Sequence, residues 1–214
     1  MDGVIVHSTP VHNEAWQVYL KRQGIRRSLE SIETAMLGKH NDDIVRAFFG
    51  DGLTPEEIVR HGVDKEKVYR EILRPRLPGQ LVPGIAAFAA ARPAMPKAVA
   101  TNAEAANVSF VLEGAGLRSC FQVVVDGGQV KRPKPDPEVF LKAAGQLDLD
   151  PADCLVFEDS ATGIAAAREA GAAVVGLTTT TPLDGCGLTV PDFNDPRLEA
   201  WLEERTGGLE EPVE

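Results

Sequence analysis

The sequence predicts an α/β protein: a three-layer core whose parallel sheet is covered by helices on both faces, with a helical segment inserted near its start. From residue 85 to residue 177, short apolar stretches alternate with helical ones, as in parallel βαβ units. From residue 10 to residue 80, apolar residues recur at helical spacing with no strand pattern between them. We therefore place the α/β core at residues 1–11 and 82–214 and a helical cap at residues 12–81.

The composition is that of an ordinary globular protein and excludes several classes. The 214 residues are 43% hydrophobic, which is enough apolar material for a real core. Three widely spaced cysteines argue against a disulfide framework or a zinc site and fit a reducing compartment, so we expect a cytoplasmic protein. No apolar run is long enough to cross a bilayer, and the net charge of -10 argues against nucleic acid as a partner. We expect a monomer.

The charge is distributed unevenly, which supports an insertion. Residues 12–80 carry 12 Lys and Arg against 11 Asp and Glu, a balance of +1. The rest of the chain carries 10 against 21, a balance of -11. A near-neutral segment thus interrupts an acidic one. An acidic part that handled phosphate would need a metal ion and a few placed cations.

The cap is predicted to be a small bundle of helices. Asn41 is placed to cap one of them, and Thr54 with Glu57 has the spacing of a capping box at the start of another. The first predicted helix contains Trp16 and ends at Gly24. The other predicted helices cover residues 29–36, residues 42–49, a segment that starts at residue 54, and residues 64–73.

The core is predicted to alternate helices with short apolar strands. In chain order the elements are helix 85–92, strand 98–100, helix 103–114, strand 121–125, helix 137–147, strand 155–157, helix 163–170 and strand 173–177. In an open parallel sheet, ligands bind at the carboxyl ends of the strands. The polar residues that follow these strands are therefore the candidates for a functional site.

Two adjacent acids, Glu158 and Asp159, follow the strand 155–157. Like charges side by side resist ionising together, so a cation would be favourable there. Mg2+ suits this position because it takes one or two carboxylates and keeps several waters. The alternative is that Asp159 only caps the next helix while Glu158 lies on the surface. This stretch alone supports both interpretations equally.

Further polar residues stand near other strand ends. Thr101 and Asn102 lie where a strand gives way to a helix, so they form either a phosphate site or a plain helix cap. Lys134 lies in a loop that three prolines stiffen, and a rigid ammonium can pair with a carboxylate and with a transferring phosphoryl group. The alternative for Lys134 is a solvated basic loop. Asp2 supplies another acid near a strand end.

Four residues of the cap are candidates for substrate binding. His12 on its own is more often a surface or hinge residue, and Trp16 is more often part of a core. Lys39 and His40 stand between two predicted helices, in a loop that can face a cleft.

Four motifs occur in one order along the chain. They are Asp-Gly-Val-Ile-Val at 2–6 with Ser8, Ala-Thr-Asn at 100–102, Lys-Pro-Asp-Pro at 134–137, and Phe-Glu-Asp-Ser at 157–160 with Gly163. Together they resemble the haloacid dehalogenase superfamily, and specifically its β-phosphoglucomutase-like phosphatases. The resemblance covers nearly the whole chain, and the helical segment lies where that group carries its cap.

The resemblance implies roles for the residues of the core. Thr101 would hold phosphoryl oxygens beside the Asn102 backbone, and Lys134 would pair with the nucleophile and the phosphate. Glu158 and Asp159 would hold Mg2+, directly or through water. Asp2 would be the general acid and base, with its backbone carbonyl on the metal. In the cap, His12 and Trp16 match positions near the substrate in the mutases.

The chain departs from the family pattern at three positions. The family's first motif has two aspartates separated by one residue, and the first is the nucleophile; here Met1 holds the middle position. We therefore expect the natural protein to be longer, with an upstream reading frame that encodes an apolar run ending in Asp directly before Met1. His7 replaces an Asp that is common in this group. Asn41 stands where the mutases carry a phosphate-binding Arg, which lowers the expectation of a mutase.

The sequence thus predicts an enzyme that catalyses Mg2+-dependent phosphoryl transfer on a small phosphorylated metabolite. The favoured reaction is hydrolysis of a phosphomonoester such as a sugar phosphate, through an aspartyl-phosphate. Two alternatives stay open. One is a phosphosugar mutase of the β-phosphoglucomutase type, and the other is a non-catalytic protein that keeps the phosphate pocket as a binding module.

Overall fold

The computed structural model describes residues 1–36, 41–180 and 183–206, which form two compact units. One unit comprises residues 1–6 together with the described chain from residue 81 onwards, and the other comprises residues 7–80. The units are thus divided between residues 6 and 7 and between residues 80 and 81. The sequence predicts these divisions between residues 11 and 12 and between residues 81 and 82.

The unit of residues 7–80 is helical. Its described helices are α1 (Thr9–Arg22), α2 (Leu29–Met36), α3 (Asn41–Phe49), α4 (Pro55–Leu73) and α5 (Leu77–Gln80). The capping box at the start of α4 is present, because the Thr54 hydroxyl accepts from the Glu57 N–H at 3.2 Å and the Thr54 N–H donates back to Glu57 Oε2 at 2.9 Å. The sequence predicts two helices over α4, but the structure has one continuous helix of 19 residues.

The core of this unit is built from large side chains that α1, α3 and α4 contribute. Trp16 and Tyr69 are completely buried, and the Trp16 ring packs against Phe48 with a centroid distance of 5.3 Å. Burying an aromatic ring of this size contributes about 2–3 kcal/mol of stability. Packing in this core therefore accounts for the position of Trp16, and no ligand is needed to explain it.

The unit that contains residues 81–206 is α/β, as predicted. Its strands are β1 (Ala98–Ala100), β2 (Val123–Val125), β3 (Leu155–Glu158), β4 (Ala173–Leu177) and β5 (Leu188–Val190). Its described helices are α6 (Ile85–Ala90), α7 (Ala105–Gly114), α8 (Glu138–Gln146), α9 (Ala161–Glu169) and α10 (Pro196–Thr206). Neither β5 nor α10 is predicted from the sequence.

All strand pairs of this unit are parallel, but they form two sheets. β1 pairs with β2, and β4 lies between β3 and β5. The predicted single sheet is therefore divided in the described part of the chain, where no ladder joins β1 to β3. Apolar residues of the helices α8 and α9 pack against β2 and β4 in one core cluster.

At the start of the chain, Asp2 and Val6 form an isolated parallel bridge, and Val6 also bridges to Leu81. These contacts place the Asp-Gly motif in the α/β unit. Among the described residues, no helix is both long and apolar enough to cross a membrane.

Candidate active site

The site is built around the carboxyl end of β3, where Glu158 is the last residue of the strand. Glu158 and Asp159 are 5% and 8% exposed, so both carboxylates are buried. The following helix α9 is capped by Ser160, whose hydroxyl accepts from the Gly163 N–H at 3.1 Å. Capping by Asp159 and a surface position for Glu158 are both excluded, so the two acids need another explanation.

Lys134 supplies the positive charge beside these acids. Its ammonium forms an ion pair with Glu158 Oε1 and donates to the Ala100 carbonyl at 3.2 Å, so it connects the carboxyl ends of β1 and β3. Lys134 as a whole residue is 8% exposed, which excludes the solvated basic loop. The Lys134 backbone N–H donates to Asn102 Oδ1 at 3.2 Å, and this hydrogen bond fixes the loop against the end of β1.

The electrostatics of Glu158 follow from this contact. Burial raises the pKa of Glu158, but the neighbouring Lys134 charge and hydrogen bond outweigh burial and leave the pKa below its usual range. The other carboxylate oxygen, Oε2, accepts from the Asp159 N–H and from the Ser160 hydroxyl, each at 3.2 Å. Glu158 is therefore ionised at neutral pH and already bound by donors on both oxygens.

Asp159 has the opposite electrostatic environment. The pKa of Asp159 is raised to about 6, because burial and the charges of Glu158 and Asp2 outweigh the lowering effect of the Thr180 hydroxyl. Asp2 thus lies close enough to Asp159 for their charges to repel each other. A cation beside Asp159 would relieve this repulsion.

Gly3 allows the first motif to lie directly on Asp159. Its φ of +63° is in the left-handed region, and a Cβ at this position would overlap the Asp159 carboxyl group. The structure therefore brings Asp2, Glu158 and Asp159 together with Lys134 in the α/β unit.

Thr101 follows β1 directly, and its backbone N–H donates to the Val125 carbonyl at 3.0 Å. Its side chain is 4% exposed, and the hydroxyl accepts from the Ala103 N–H at 3.1 Å. This is the geometry of a local turn, which is compatible with the plain cap and with the phosphate site. Asn102 is exposed and orients Lys134 through its side chain, a contact that the sequence does not predict.

The carboxylates of this site can be compared with the ligands that Mg2+ requires. Within residues 1–36, 41–180 and 183–206, no three His, Cys, Asp or Glu side chains are placed to hold a metal ion. Both oxygens of Glu158 accept hydrogen bonds, and Asp159 and Asp2 are two further acids close to each other at this point. Mg2+ takes one or two carboxylates and completes its shell with waters and substrate phosphate oxygens, so the residues present fit this ion.

The candidates in the cap unit have mixed surroundings. His12 stacks on Tyr69 with a centroid distance of 3.9 Å, and its Nδ1 lies 3.3 Å from Lys65 Nζ. Trp16 is buried in the core of that unit. Lys39 and His40 lie outside the described residues. The assignment of these four to substrate binding stays a prediction.

Sequence reasoning missed a buried ion pair in the cap unit, between Lys65 and Glu66. They are only 2% and 6% exposed, and Lys65 Nζ also lies 5.1 Å from the centre of the Trp16 ring. Adjacent Lys and Glu on a helix are usually solvated, so the sequence has no signal for this burial. Thr180, which donates to Asp159, was missed for a different reason, because its partner lies 21 residues away.

Gly163 gives a prediction that tests the packing of Glu158. A Cβ on Gly163 would overlap the Glu158 carboxyl group, whereas a Cβ on Gly145, in α8, would meet no atom within 4 Å. We expect Gly163→Ala to destabilise the protein by about 1–3 kcal/mol through this overlap. Gly145→Ala should stabilise it by about 0.4–1 kcal/mol, because it restricts the unfolded chain. Urea unfolding of both variants measures the difference, and equal stabilities would contradict the packing of Glu158.

Comparison with known proteins agrees with the motifs and the fold. The family model of the haloacid dehalogenase-like hydrolases matches residues 1–171. The chain is 34% identical over 176 residues to fructose-1-phosphate phosphatase YqaB of Escherichia coli (strain K12), covering 80% of this chain and 89% of that protein. It is 27% identical to β-phosphoglucomutase of Bacillus subtilis (strain 168), covering 95% of this chain and 92% of that protein.

A solved structure is also similar. It is a HAD hydrolase of family IA, variant 3, from Entamoeba histolytica, which superposes with a TM-score of 0.85 at 24% identity and covers 95% of each chain. At this identity, the likeness supports the fold class alone. Membership of the family is shown by the family model, because its match spans all four motifs. The predictions of an α/β fold and an enzyme are therefore confirmed, and the chain belongs to the haloacid dehalogenase-like hydrolases as a phosphatase of that family.

Proposed function

We propose that this protein is a Mg2+-dependent phosphatase that hydrolyses a small sugar phosphate through an aspartyl-phosphate. The observation that carries the proposal is the buried Lys134 ammonium, held between the Ala100 carbonyl and the Glu158 carboxylate. A fixed, desolvated cation at two adjoining strand ends can stabilise charge on a transferring phosphoryl group without reorganising. Thr101 and Asp159 lie one residue beyond Ala100 and Glu158, so further phosphate and metal contacts are available at the same ends.

In the proposed reaction, an Asp carboxylate attacks phosphorus in line and the bond from phosphorus to the sugar oxygen breaks. Asp2 gives its proton to the leaving sugar oxygen, then takes a proton from the water that attacks the phosphorus of the aspartyl-phosphate. Inorganic phosphate leaves, the nucleophilic Asp is restored as a carboxylate, and Asp2 is restored in its protonated form. Lys134 offsets the charge of the phosphoryl oxygens, and Thr101 donates a hydrogen bond to one of them.

Asp159 is the proposed carboxylate ligand of Mg2+, with the Asp2 backbone carbonyl beside it. Glu158 acts mainly by holding Lys134, because both of its oxygens already accept hydrogen bonds. When bound, Mg2+ supplies positive charge against the phosphate oxygens.

The substrate class rests on the relatives and on one contact in the cap unit. The Escherichia coli relative is named as a phosphatase of fructose 1-phosphate, and the Bacillus subtilis relative as a mutase of phosphoglucose. Asn41, where the mutases carry a phosphate-binding Arg, donates to Glu66 Oε1 at 3.1 Å. A neutral amide that is already bound to a carboxylate is a poor ligand for a second phosphate. This contact therefore favours hydrolysis of the sugar phosphate over the mutase reaction, in which the phosphoryl group moves to another position of the sugar.

The test is a screen of phosphate esters, with ketose and aldose 1-phosphates and 6-phosphates, in Mg2+ and in EDTA. Two forms of the protein are assayed: the chain of 214 residues, and the same chain preceded by any residues that its upstream reading frame encodes. We expect phosphate release from a sugar phosphate that EDTA abolishes. Conversion of a hexose 1-phosphate to the 6-phosphate without phosphate release would support the mutase, and binding without turnover would support a non-catalytic binder.

A further inference from the structure

Two neighbouring threonines after β4 reach two different elements of the candidate site. Thr178 continues the pairing of β4 with β5, because its backbone N–H donates to the Val190 carbonyl at 3.0 Å. The next two hydroxyls leave this pairing. Thr179 Oγ1 donates to the Gly3 carbonyl at 2.5 Å, and Thr180 Oγ1 donates to Asp159 Oδ2.

These hydrogen bonds join segments that are distant in sequence. Thr179 and Gly3 are 176 positions apart, and Thr180 and Asp159 are 21 apart. The Gly3 backbone lies so close to Asp159 that a Cβ on Gly3 would overlap the carboxyl group. Three segments therefore meet at one point: the start of the chain, the end of β3 and the end of β4. Thr179 binds the first of these segments and Thr180 binds the second.

We infer that Thr179 and Thr180 are positioning residues for the cation of the proposed function. They hold the Asp2–Gly3 turn and the Asp159 carboxylate in the arrangement that Mg2+ requires before the ion arrives. This inference rests on the proposed function and adds two residues that none of the four motifs contains.

The physical reason is the close approach of the two segments at this point. The Gly3 backbone lies against the Asp159 carboxyl group, so the turn and the carboxylate each need a fixed position if both are to face one ion. A hydroxyl that donates to each of them supplies that fixed position. Carboxylates that bind metals are generally oriented by such outer hydrogen bonds, and losing one costs about 10- to 100-fold in metal affinity.

The side chains differ in how much their replacement would disturb the fold. Thr180 is exposed and Thr179 is half-buried, so Thr180→Val removes the hydroxyl without opening a cavity in the core. Thr180→Ser keeps the hydroxyl and loses only a methyl group. Thr178 is the matched control, because it is exposed in the same run of threonines and its described role is a backbone hydrogen bond.

The experiment titrates the metal-free full chain with MgCl2 by calorimetry, for the wild type, Thr180→Val, Thr180→Ser and Thr178→Val. We expect Thr180→Val to bind Mg2+ about 10- to 100-fold more weakly, while the other two variants stay near the wild type. A second readout is the Mg2+ concentration at half-maximal phosphatase activity. It should rise in Thr180→Val by a similar factor, while kcat at saturating Mg2+ changes little.

The outcomes separate this inference from the proposed function. Normal Mg2+ binding by the wild type and by Thr180→Val would overturn the positioning role alone. Absence of Mg2+ binding by the wild type would overturn the magnesium proposal and the positioning role with it. Weaker binding by Thr180→Val and Thr180→Ser alike would also overturn the positioning role, because loss of the hydroxyl would not be the cause. Circular dichroism in EDTA checks that all variants are folded.

Discussion

Replacing Asp159 by Asn is expected to reduce kcat by about 10²- to 10³-fold, because loss of a metal ligand removes several kcal/mol of transition-state stabilisation. The Asn side chain keeps the size of Asp and can still accept from Thr180, so the fold should be retained. Phosphate release is measured over a range of Mg2+ concentrations. An unchanged Mg2+ dependence would contradict the assignment of Asp159 to the metal.

The same variant should be more stable than the wild type in EDTA. The pKa of Asp159 is raised to about 6 in the folded protein. An unfolded Asp titrates near 3.9, so the folded state binds the extra proton between about pH 4 and pH 6. Wild-type stability should therefore fall across this window as the pH rises, by up to about 3 kcal/mol at pH 7.

Asp159→Asn removes this pH-dependent loss. Urea unfolding at pH 4, 5, 6 and 7 in EDTA should show two stability curves that coincide at low pH and separate as the pH rises. Adding Mg2+ should stabilise the wild type at pH 7 and leave the variant unchanged, since a ligand stabilises only a protein that binds it. Parallel curves at all pH values would contradict the burial of an ionisable Asp159.

Replacing Lys134 by Met is expected to have the largest combined effect on activity and stability. It removes the cation that faces the phosphoryl group, which should cost about 10²- to 10³-fold in kcat. It also leaves Glu158 buried without its ionic partner, which should cost about 3–5 kcal/mol of stability. Lys131→Met is the matched control, because Lys131 is an exposed lysine of the same loop.

A double variant separates the two effects of Lys134. Lys134→Met with Glu158→Gln neutralises both partners, so much of the lost stability should return while activity stays low. Urea unfolding and phosphate release are measured on the single variants and the double variant. Full activity in Lys134→Met, or no recovery of stability in the double variant, would contradict the ion pair as the centre of the site.

The sequence determined the fold class because the periodicity of its apolar residues is a local property. The strands at 98–100 and 173–177 have the predicted bounds, and the capping box at Thr54 forms as its spacing requires. β5 was missed because it is defined by its pairing with β4, which the local sequence pattern does not show. The separation of β1 from β3 depends on pairing between strands, which is not encoded in either strand alone.

The candidate site divides in the same way. The order and spacing of the motifs determined which polar residues stand at strand ends and which family the chain belongs to. Only the tertiary structure decided that Glu158 pairs with Lys134 and that Thr180 binds Asp159, because each choice depends on which donors burial brings to a carboxylate. Desolvation and neighbouring charge, which separate an ionised Glu158 from an adjacent Asp159 with a raised pKa, arise when distant segments pack together and are absent from the sequence pattern.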